Sequence, residues 1–231
     1  MKICGLMRPE DACAADDAGA DYLGVVLSAG FGRSVPLEDA GRIVEGTRVE
    51  KVAVLVDESP EGAERAAAAI GAGVLQLHGE EDPAVLAELR RRGPWTLWKS
   101  VRARALEDVE RAVERYAGVA DALLVEGWKE GVTGGGGARL ELDPARVRAL
   151  VGEGLELVLA GGLRPETVAE AVEAYRPDVV DVSSGVEAAF GRKDATALRA
   201  FVMAAKSRAA KGSAPKSPAL PASPGTAGRA R

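Results

Sequence analysis

Short apolar runs alternate with longer polar stretches along the first 205 residues. Several of these runs consist almost entirely of Val, Leu and Ile, which is typical of strands covered on both faces, as in parallel sheets. The pattern predicts eight β-strands: Lys2–Cys4, Asp21–Leu27, Lys51–Val56, Gly73–His78, Trp95–Ser100, Asp121–Glu126, Leu155–Ala160 and Asp178–Ser183.

The polar stretches between the strands carry helix-start signals. Ser59, Asp82 and Asp143 are capping residues that each precede a proline. Six of the 12 prolines stand at predicted helix starts: Pro9, Pro36, Pro60, Pro83, Pro144 and Pro165. Eight strand–helix units that repeat at about 20–35 residues predict an α/β fold, a single-domain (β/α)8 barrel. A doubly wound sheet is the alternative, but it usually has fewer units.

Charge and composition divide the chain in two. The segment 206–231 holds six basic residues and no acid, although the net charge of the whole chain is −5. It consists almost wholly of Ala, Pro, Ser, Gly, Lys and Arg and cannot bury enough apolar surface to offset its ordering entropy. We therefore predict a barrel domain over residues 1–206 and a basic, disordered tail over 207–231. The tail lacks aromatic residues, so binding to nucleic acid is not expected.

Two cysteines and the absence of a long apolar run set the expected compartment. No run approaches the ~18 apolar residues of a membrane span, so we expect no membrane partner. Cys4 and Cys13 do not resemble a secreted disulfide framework, which predicts free thiols and a cytoplasmic protein. Cys13 lies inside the first predicted helix and is expected to be packed and inert.

Candidate catalytic and binding residues stand at the carboxyl ends of the predicted strands, where barrels of this kind hold their active sites. Glycine pairs and serines that end the last two strands suggest a phosphate cradle. A thiol on the first strand and a carboxylate on the sixth could remove and donate protons on opposite sides of one substrate. This reading leads to a phosphosugar isomerase with these candidates: Cys4, Glu126, Asp181, Gly161, Gly162, Ser183 and Ser184.

Three further features are weaker signals. Arg33, in the loop after the second strand, could bind a carboxylate through two parallel hydrogen bonds. The glycine-rich stretch 127–142 is expected to be a mobile lid. His78 is the only histidine, and it is either a structural residue or part of the pocket wall. Without a histidine–cysteine cluster or a nucleotide fingerprint, neither a metal nor a cofactor is predicted.

Several motifs together resemble one family. "KICGL", "LQLHGE", "LAGGLRPETV" and "DVSSGVEAAFGRKD", in this order, are similar to phosphoribosylanthranilate isomerase of tryptophan biosynthesis. The resemblance spans residues 2 to about 201 and implies an Amadori rearrangement of a phosphosugar without metal or cofactor. It also implies roles for the residues of this chain. Cys4 would be the general base, the acid at the end of strand six the general acid, and Arg33 the ligand of the anthranilate carboxylate. Asp181 would contact the sugar, and the phosphate would be held by Gly161, Gly162, Ser183 and Ser184.

The sequence departs from the family pattern around this site. The strand-six acid is normally aspartate, whereas this chain has Glu126, and the serine two residues before the second-loop arginine is Phe31. The family's GG[ST]G loop is matched only by "GVTG". A phosphosugar-binding barrel that has lost or shifted the activity is therefore the alternative. An isomerase acting on a histidine-pathway ribotide is a nearer alternative, but it would need a second phosphate site. The oligomeric state is left open between monomer and homodimer.

Overall fold

In a computed structural model of the chain, eight parallel strands close into a barrel in sequence order, with β8 pairing with β1. The structure describes residues 1–128, 138–152 and 154–209. The strands are β1 (Lys2–Ile3), β2 (Tyr22–Val26), β3 (Glu50–Leu55), β4 (Val74–Leu77), β5 (Thr96–Ala103), β6 (Ala122–Gly127), β7 (Glu156–Leu159) and β8 (Val179–Val182). The (β/α)8 prediction is thus confirmed, and each strand overlaps its predicted run.

Each barrel strand is followed by an α-helix. Three predicted caps form: the side chains of Ser59, Asp82 and Asp143 accept hydrogen bonds from backbone amides of the first helical turn. The helices are α1 (Pro9–Ala18), α2 (Leu37–Val44), α3 (Pro60–Ile70), α4 (Pro83–Arg92), α5 (Leu106–Tyr116), α6 (Pro144–Val151), α7 (Val168–Tyr175) and α8 (Ala195–Ala209).

Two helix starts differ from the prediction. Pro165 lies in a turn, and α7 begins only at Val168, because the hydroxyl of Thr167 pairs with the backbone of Arg164 and closes that turn first. The eight predicted strand–helix units also place a helix directly after β8. Instead, a 3-10 turn (Ser184–Val186) and a hairpin of β9 (Glu187–Ala189) and β10 (Arg192–Lys193) come before α8.

The boundary of the predicted tail shifts as well. Helix α8 continues to Ala209, so residues 207–209 are helical rather than part of a disordered tail. Residues 210–231 lie outside the described residues, and so does most of the predicted lid, residues 129–137. Disorder of the tail and mobility of the lid therefore stay predictions.

The strands divide the buried side chains into two clusters. Because side chains alternate along a strand, one set faces the helices and the other fills the barrel. The larger cluster lies between strands and helices and includes Leu23, Leu75 and Leu157. The smaller one lies inside the barrel and includes Val52, Trp98, Leu124, Val158 and Cys4. The inward-facing residues at the carboxyl ends of the strands include the candidate site residues.

Candidate active site

A buried thiol and a buried ammonium share the interior face of the first strand. Cys4 directly follows β1 and is 9% exposed, and Lys2, two residues earlier, is fully buried. Gly24 on β2 leaves room for both, because a Cβ there would lie 2.9 Å from Lys2 Cε and 3.1 Å from Cys4 Sγ. The missing side chain on β2 therefore allows the thiol to lie beside the ammonium.

Lys2 also connects the first strand to the last. Its Nζ lies 3.0 Å from Oδ1 of Asp181 on β8. Burial lowers the pKa of Lys2, but the negative charges of Asp181 and of a Cys4 thiolate outweigh burial and leave that pKa above its ordinary value. Lys2 is therefore a permanent positive charge next to the thiol.

The thiol itself is held mainly in its neutral form. Burial raises the pKa of Cys4 above its ordinary value, and the Lys2 ammonium opposes this shift without cancelling it, while Asp181 adds to it. A thiol acts as a base only as the thiolate. The basic form of Cys4 is therefore scarce at neutral pH and becomes more abundant as the pH rises.

Arg33 reaches the site from the loop after β2 and is held by a carboxylate of the protein. Its Nε and Nη2 atoms each donate to Glu187 at 2.8 Å, and its guanidinium lies 4.6 Å from the centre of the Phe190 ring. Gly5 allows this path, since a Cβ there would lie 2.5 Å from Arg33 Cδ and 2.8 Å from Ser183 Oγ. Arg33 therefore lies between the β1 loop and the end of β8.

Lys193 on β10 completes this ionic group. Its Nζ lies 3.0 Å from Glu187 and donates to the backbone carbonyl of Ser183 at 3.1 Å. Burial raises the pKa of Glu187, but the hydrogen bond from Arg33 and the charge of Lys193 outweigh burial, so this pKa lies below its ordinary value. Burial lowers the pKa of Lys193, and Glu187 only partly opposes that shift. Glu187 is therefore the anionic centre that holds two cations beside Ser183.

The proposed phosphate cradle consists of close backbone turns. Gly161 and Gly162 follow β7 with φ values of +93° and +62°, a region that favours glycine. A Cβ on Gly161 would lie 2.2 Å from the carbonyl oxygen of Ala138 and 3.1 Å from the amide of Gly127, the last residue of β6. The turn after β7 thus packs tightly against the strand that carries Glu126.

Glu126 on β6 contacts the only histidine of the chain. Its Oε1 lies 3.1 Å from His78 Nε2, and Nδ1 of the same ring lies 2.9 Å from Gln76 Nε2. Ser100 Oγ lies 3.4 Å from His78 Nε2. Glu126 is 7% exposed. The sequence left His78 open as a structural residue or as part of the pocket wall. Its contact with the candidate acid favours the second role.

The surroundings of these residues add three observations. A cavity of about 740 Å³ has His78 on its wall, but side chains of β5 and α5 form most of its lining, and neither Cys4 nor Arg33 belongs to it. The thiol therefore does not line this cavity. Within the described ranges no group of three or more His, Cys, Asp or Glu side chains could hold a metal ion, and no helix is long and apolar enough to cross a membrane.

The predicted site residues come to one end of the barrel in two groups. Cys4, Arg33, Asp181 and Ser183 lie on the side of β1, β2 and β8, and Glu126 lies on the side of β4 to β6. Cys4 and Cys13 are both free, as predicted, but Cys13 is exposed on α1 and not packed. Four neighbours were not identified from the sequence: Lys2, Gln76, Glu187 and Lys193.

A closed parallel barrel with a thiol, a carboxyl and glycine-rich turns at the carboxyl ends of its strands is the arrangement of a (β/α)8-barrel enzyme. The family model described as N-(5'phosphoribosyl)anthranilate (PRA) isomerase matches residues 1–204. The chain belongs to this isomerase family.

Individual relatives agree with the family match. The chain is 40% identical, over 89% of its length and 97% of the relative's, to N-(5'-phosphoribosyl)anthranilate isomerase of Thiobacillus denitrificans. It is similar to a structure of monomers generated from the dimeric phosphoribosylanthranilate isomerase of Thermotoga maritima, with a TM-score of 0.76, 35% identity and coverage of 89% and 97% of the two chains. A second similar structure is a phosphoribosyl anthranilate isomerase in complex with reduced 1-(o-carboxyphenylamino)-1-deoxyribulose 5-phosphate, with a TM-score of 0.75, 33% identity and the same coverage.

Proposed function

We propose that this protein converts N-(5'-phosphoribosyl)anthranilate into 1-(2-carboxyphenylamino)-1-deoxyribulose 5-phosphate, an Amadori rearrangement in tryptophan biosynthesis. Cys4 is the general base and Glu126 is the general acid. The observation that carries the proposal is that a chain of this family keeps a buried thiol after β1 and a buried carboxyl on β6 at the same end of its barrel.

The reaction needs one proton delivered and one removed. Glu126 gives a proton to the ring oxygen, the bond between that oxygen and the anomeric carbon breaks, and the anthranilate nitrogen forms a protonated imine with that carbon. The Cys4 thiolate then takes the proton from C2, and the electron pair of the C–H bond forms a C1–C2 double bond, which gives an enolamine. Transfer of a proton from the C2 hydroxyl to C1 yields the ketone, so substrate and product have the same composition.

The charged residues hold the two anionic ends of the substrate. Two of the five N–H groups of Arg33 donate to Glu187, and the other three remain for the anthranilate carboxylate. The phosphate lies against the turns of Gly161, Gly162, Ser183 and Ser184, and Asp181 contacts the sugar. Lys193, bound to Ser183, adds positive charge next to that phosphate.

The direct test follows the loss of anthranilate-ring fluorescence when the purified full chain meets freshly generated phosphoribosylanthranilate. It should be run beside Glu126→Asp and Glu126→Gln. Turnover by the unmodified chain that falls by about 10²-fold or more in Glu126→Gln, which keeps the shape but has no acidic proton, supports the proposal.

Two results would contradict the proposal or change it. No turnover by the unmodified chain together with turnover by Glu126→Asp would mean that the scaffold is competent but that glutamate has ended or shifted the reaction. Turnover that does not change in Glu126→Gln would remove Glu126 as the acid.

A further inference from the structure

The contact between His78 and Glu126 depends on the length of the glutamate side chain. His78 follows β4 and Glu126 lies on β6, so β5 runs between them. Strands two apart in a sheet are separated by about 10 Å, because neighbouring strands lie about 4.8 Å apart. The Glu126 carboxyl still reaches within 3.1 Å of His78 Nε2. An aspartate at this position would be one methylene shorter and would not bring its carboxyl as near to the ring.

Ser100 on β5 leaves room for His78 and Glu126 to meet. Register pairs Leu77 with Lys99, so His78 is level with Ser100 on the inward face of β5, whereas Glu126 pairs with Arg102, two residues further along that strand. The Ser100 hydroxyl lies 3.4 Å from His78 Nε2, the nitrogen that contacts Glu126. A serine is small enough for the two longer side chains to meet above it.

The other side of the imidazole ring is fixed by Gln76. Its amide Nε2 lies 2.9 Å from His78 Nδ1. If this amide donates, Nδ1 carries a lone pair, and the single proton of the neutral ring is on Nε2, where it points at Glu126. Within the described part of the chain, the buried Oε1 of Gln76 has no hydrogen-bond partner. Gln76 therefore directs its donor group toward the ring while its own oxygen stays unpaired.

We propose that His78 is a positioning residue for the acid: its Nε2–H donates to Oε1 of Glu126, and Gln76 sets the ring tautomer that makes this possible. This inference rests on the proposed function. With Oε1 held by the histidine, the acidic proton is carried by Oε2, the carboxyl oxygen for which no contact with the ring is seen. The three dihedral angles of a glutamate side chain would otherwise leave the carboxyl in several orientations, and misplacement by about 1 Å can cost about a hundredfold in rate.

The electrostatic surroundings are consistent with this role. Among the described residues no lysine or arginine forms an ion pair with Glu126, whose one partner of that kind is His78. A lysine or arginine in contact would favour the ionised carboxylate, which has no proton to give. A neutral imidazole orients the carboxyl and adds no full positive charge beside it.

The first test does not require turnover. Because the chain contains one histidine, ¹⁵N-labelling of histidine in the full, tag-free protein gives a single pair of ring nitrogen resonances. We expect a protonated Nε2 and an unprotonated Nδ1, with the Nε2 resonance shifting in Glu126→Gln. An Nε2 resonance that is the same in both proteins, or an unprotonated Nε2 in the unmodified protein, would overturn the proposal. This result stands even if the protein does not turn over phosphoribosylanthranilate.

The second test separates positioning from packing by kinetics. His78→Leu removes the donor, whereas His78→Gln keeps an N–H close to the position of Nε2. We expect His78→Leu to lower kcat by about tenfold with little change in KM, and His78→Gln to restore most of that loss. Equal losses in both variants, or a loss only in KM, would overturn the role.

A double-mutant cycle provides the sharper control. In a Glu126→Asp background the carboxyl is too short for the histidine, so the loss from His78→Leu should be about fivefold smaller than in the unmodified background. An equal loss in both backgrounds would show that His78 acts without Glu126 and would overturn the proposal. If the unmodified chain has no activity, the proposed function fails, and the resonance measurement alone decides this inference.

Discussion

The two sides of the barrel mouth use different interactions. On the side of β1, β2 and β8, buried charges pair directly, with Lys2 on Asp181 and with Glu187 between Arg33 and Lys193. The side of β4 to β6 also has a buried ion pair, Lys99 with Glu81, but there the candidate acid Glu126 contacts His78, which Gln76 contacts in turn. The difference teaches that the candidate base lies among paired charges, whereas the candidate acid forms no ion pair with a described lysine or arginine. Under the proposed mechanism, the cations would stabilise a thiolate and an anionic substrate, and the acid would keep its proton.

The largest effect on kcat is expected from removing the thiol on the ionic side. Cys4→Ser should lower kcat by about 10³-fold or more, because a hydroxyl in this position is far less acidic than a thiol and supplies almost no base. Fluorescence-monitored turnover measures the effect. Cys13→Ser, which changes the exposed thiol on α1, is the matched control and should behave as the unmodified protein. Near-normal turnover by Cys4→Ser would remove Cys4 as the base.

The next effect concerns the buried ion pair rather than the chemistry. Lys2→Met leaves Asp181 as an uncompensated buried charge and should lower the free energy of unfolding by about 3–5 kcal/mol, as measured in urea. Arg42→Met removes an exposed pair with Asp39 and should change it by less than about 0.5 kcal/mol. Similar small losses in the two variants would mean that the interior pair does not set the stability of this side.

The change of the Cys4 thiolate fraction with pH tests the proposed base. Since burial raises the pKa of Cys4, the active thiolate increases as the pH rises. Below that pKa, the thiolate fraction of Cys4, measured as the ultraviolet absorbance of the thiolate in Cys13→Ser, should therefore rise by about tenfold per pH unit on the alkaline side of neutrality. Circular dichroism at each pH checks that the fold is intact. A thiolate that is already fully formed at neutral pH would contradict a scarce thiolate as the base.

A smaller effect is expected at the centre of the ionic group. The pKa of Glu187 lies below its ordinary value in the folded chain, so the unfolded chain binds its proton at higher pH than the folded chain does. Its contribution to stability is complete above the ordinary glutamate pKa and is lost as the pH falls through the lowered value. Glu187→Gln should therefore reduce the difference in unfolding free energy between pH 7 and pH 3. An unchanged difference would show that the pairs with Arg33 and Lys193 contribute little.

The sequence pattern predicted the barrel because several strands are buried runs of Val, Leu and Ile, and this signal does not depend on distant residues. For the same reason Cys4, Glu126 and Asp181 could be assigned to the barrel mouth from their places at strand ends. Pro165 shows the limit: a hydrogen bond of Thr167 decided where the helix begins. The β9–β10 hairpin was missed because its five strand residues carry no clear alternation.

The partners of the site residues could not be predicted, since they depend on the reach of side chains across the barrel. Arg33 and Glu187 are 154 positions apart, and only the closed sheet brings them together. His78 and Glu126 come from strands that are not neighbours in the sheet. The roles of the site residues, the cytoplasmic location and the choice between monomer and homodimer stay predictions.

The bond between Lys2 and Asp181 also bears on how the protein is made. These two residues are 179 positions apart, and β1, with only two residues, pairs with both β2 and β8. A ribosome synthesises the strands in order, so Lys2 can pair with Asp181 only after nearly all of the barrel has left the exit tunnel. Closing such long loops is a slow step in folding. The thiol, the ammonium and the carboxylate therefore come together only after β8 has been synthesised, and a truncated chain that ends before β8 lacks Asp181 as the counter-charge for Lys2.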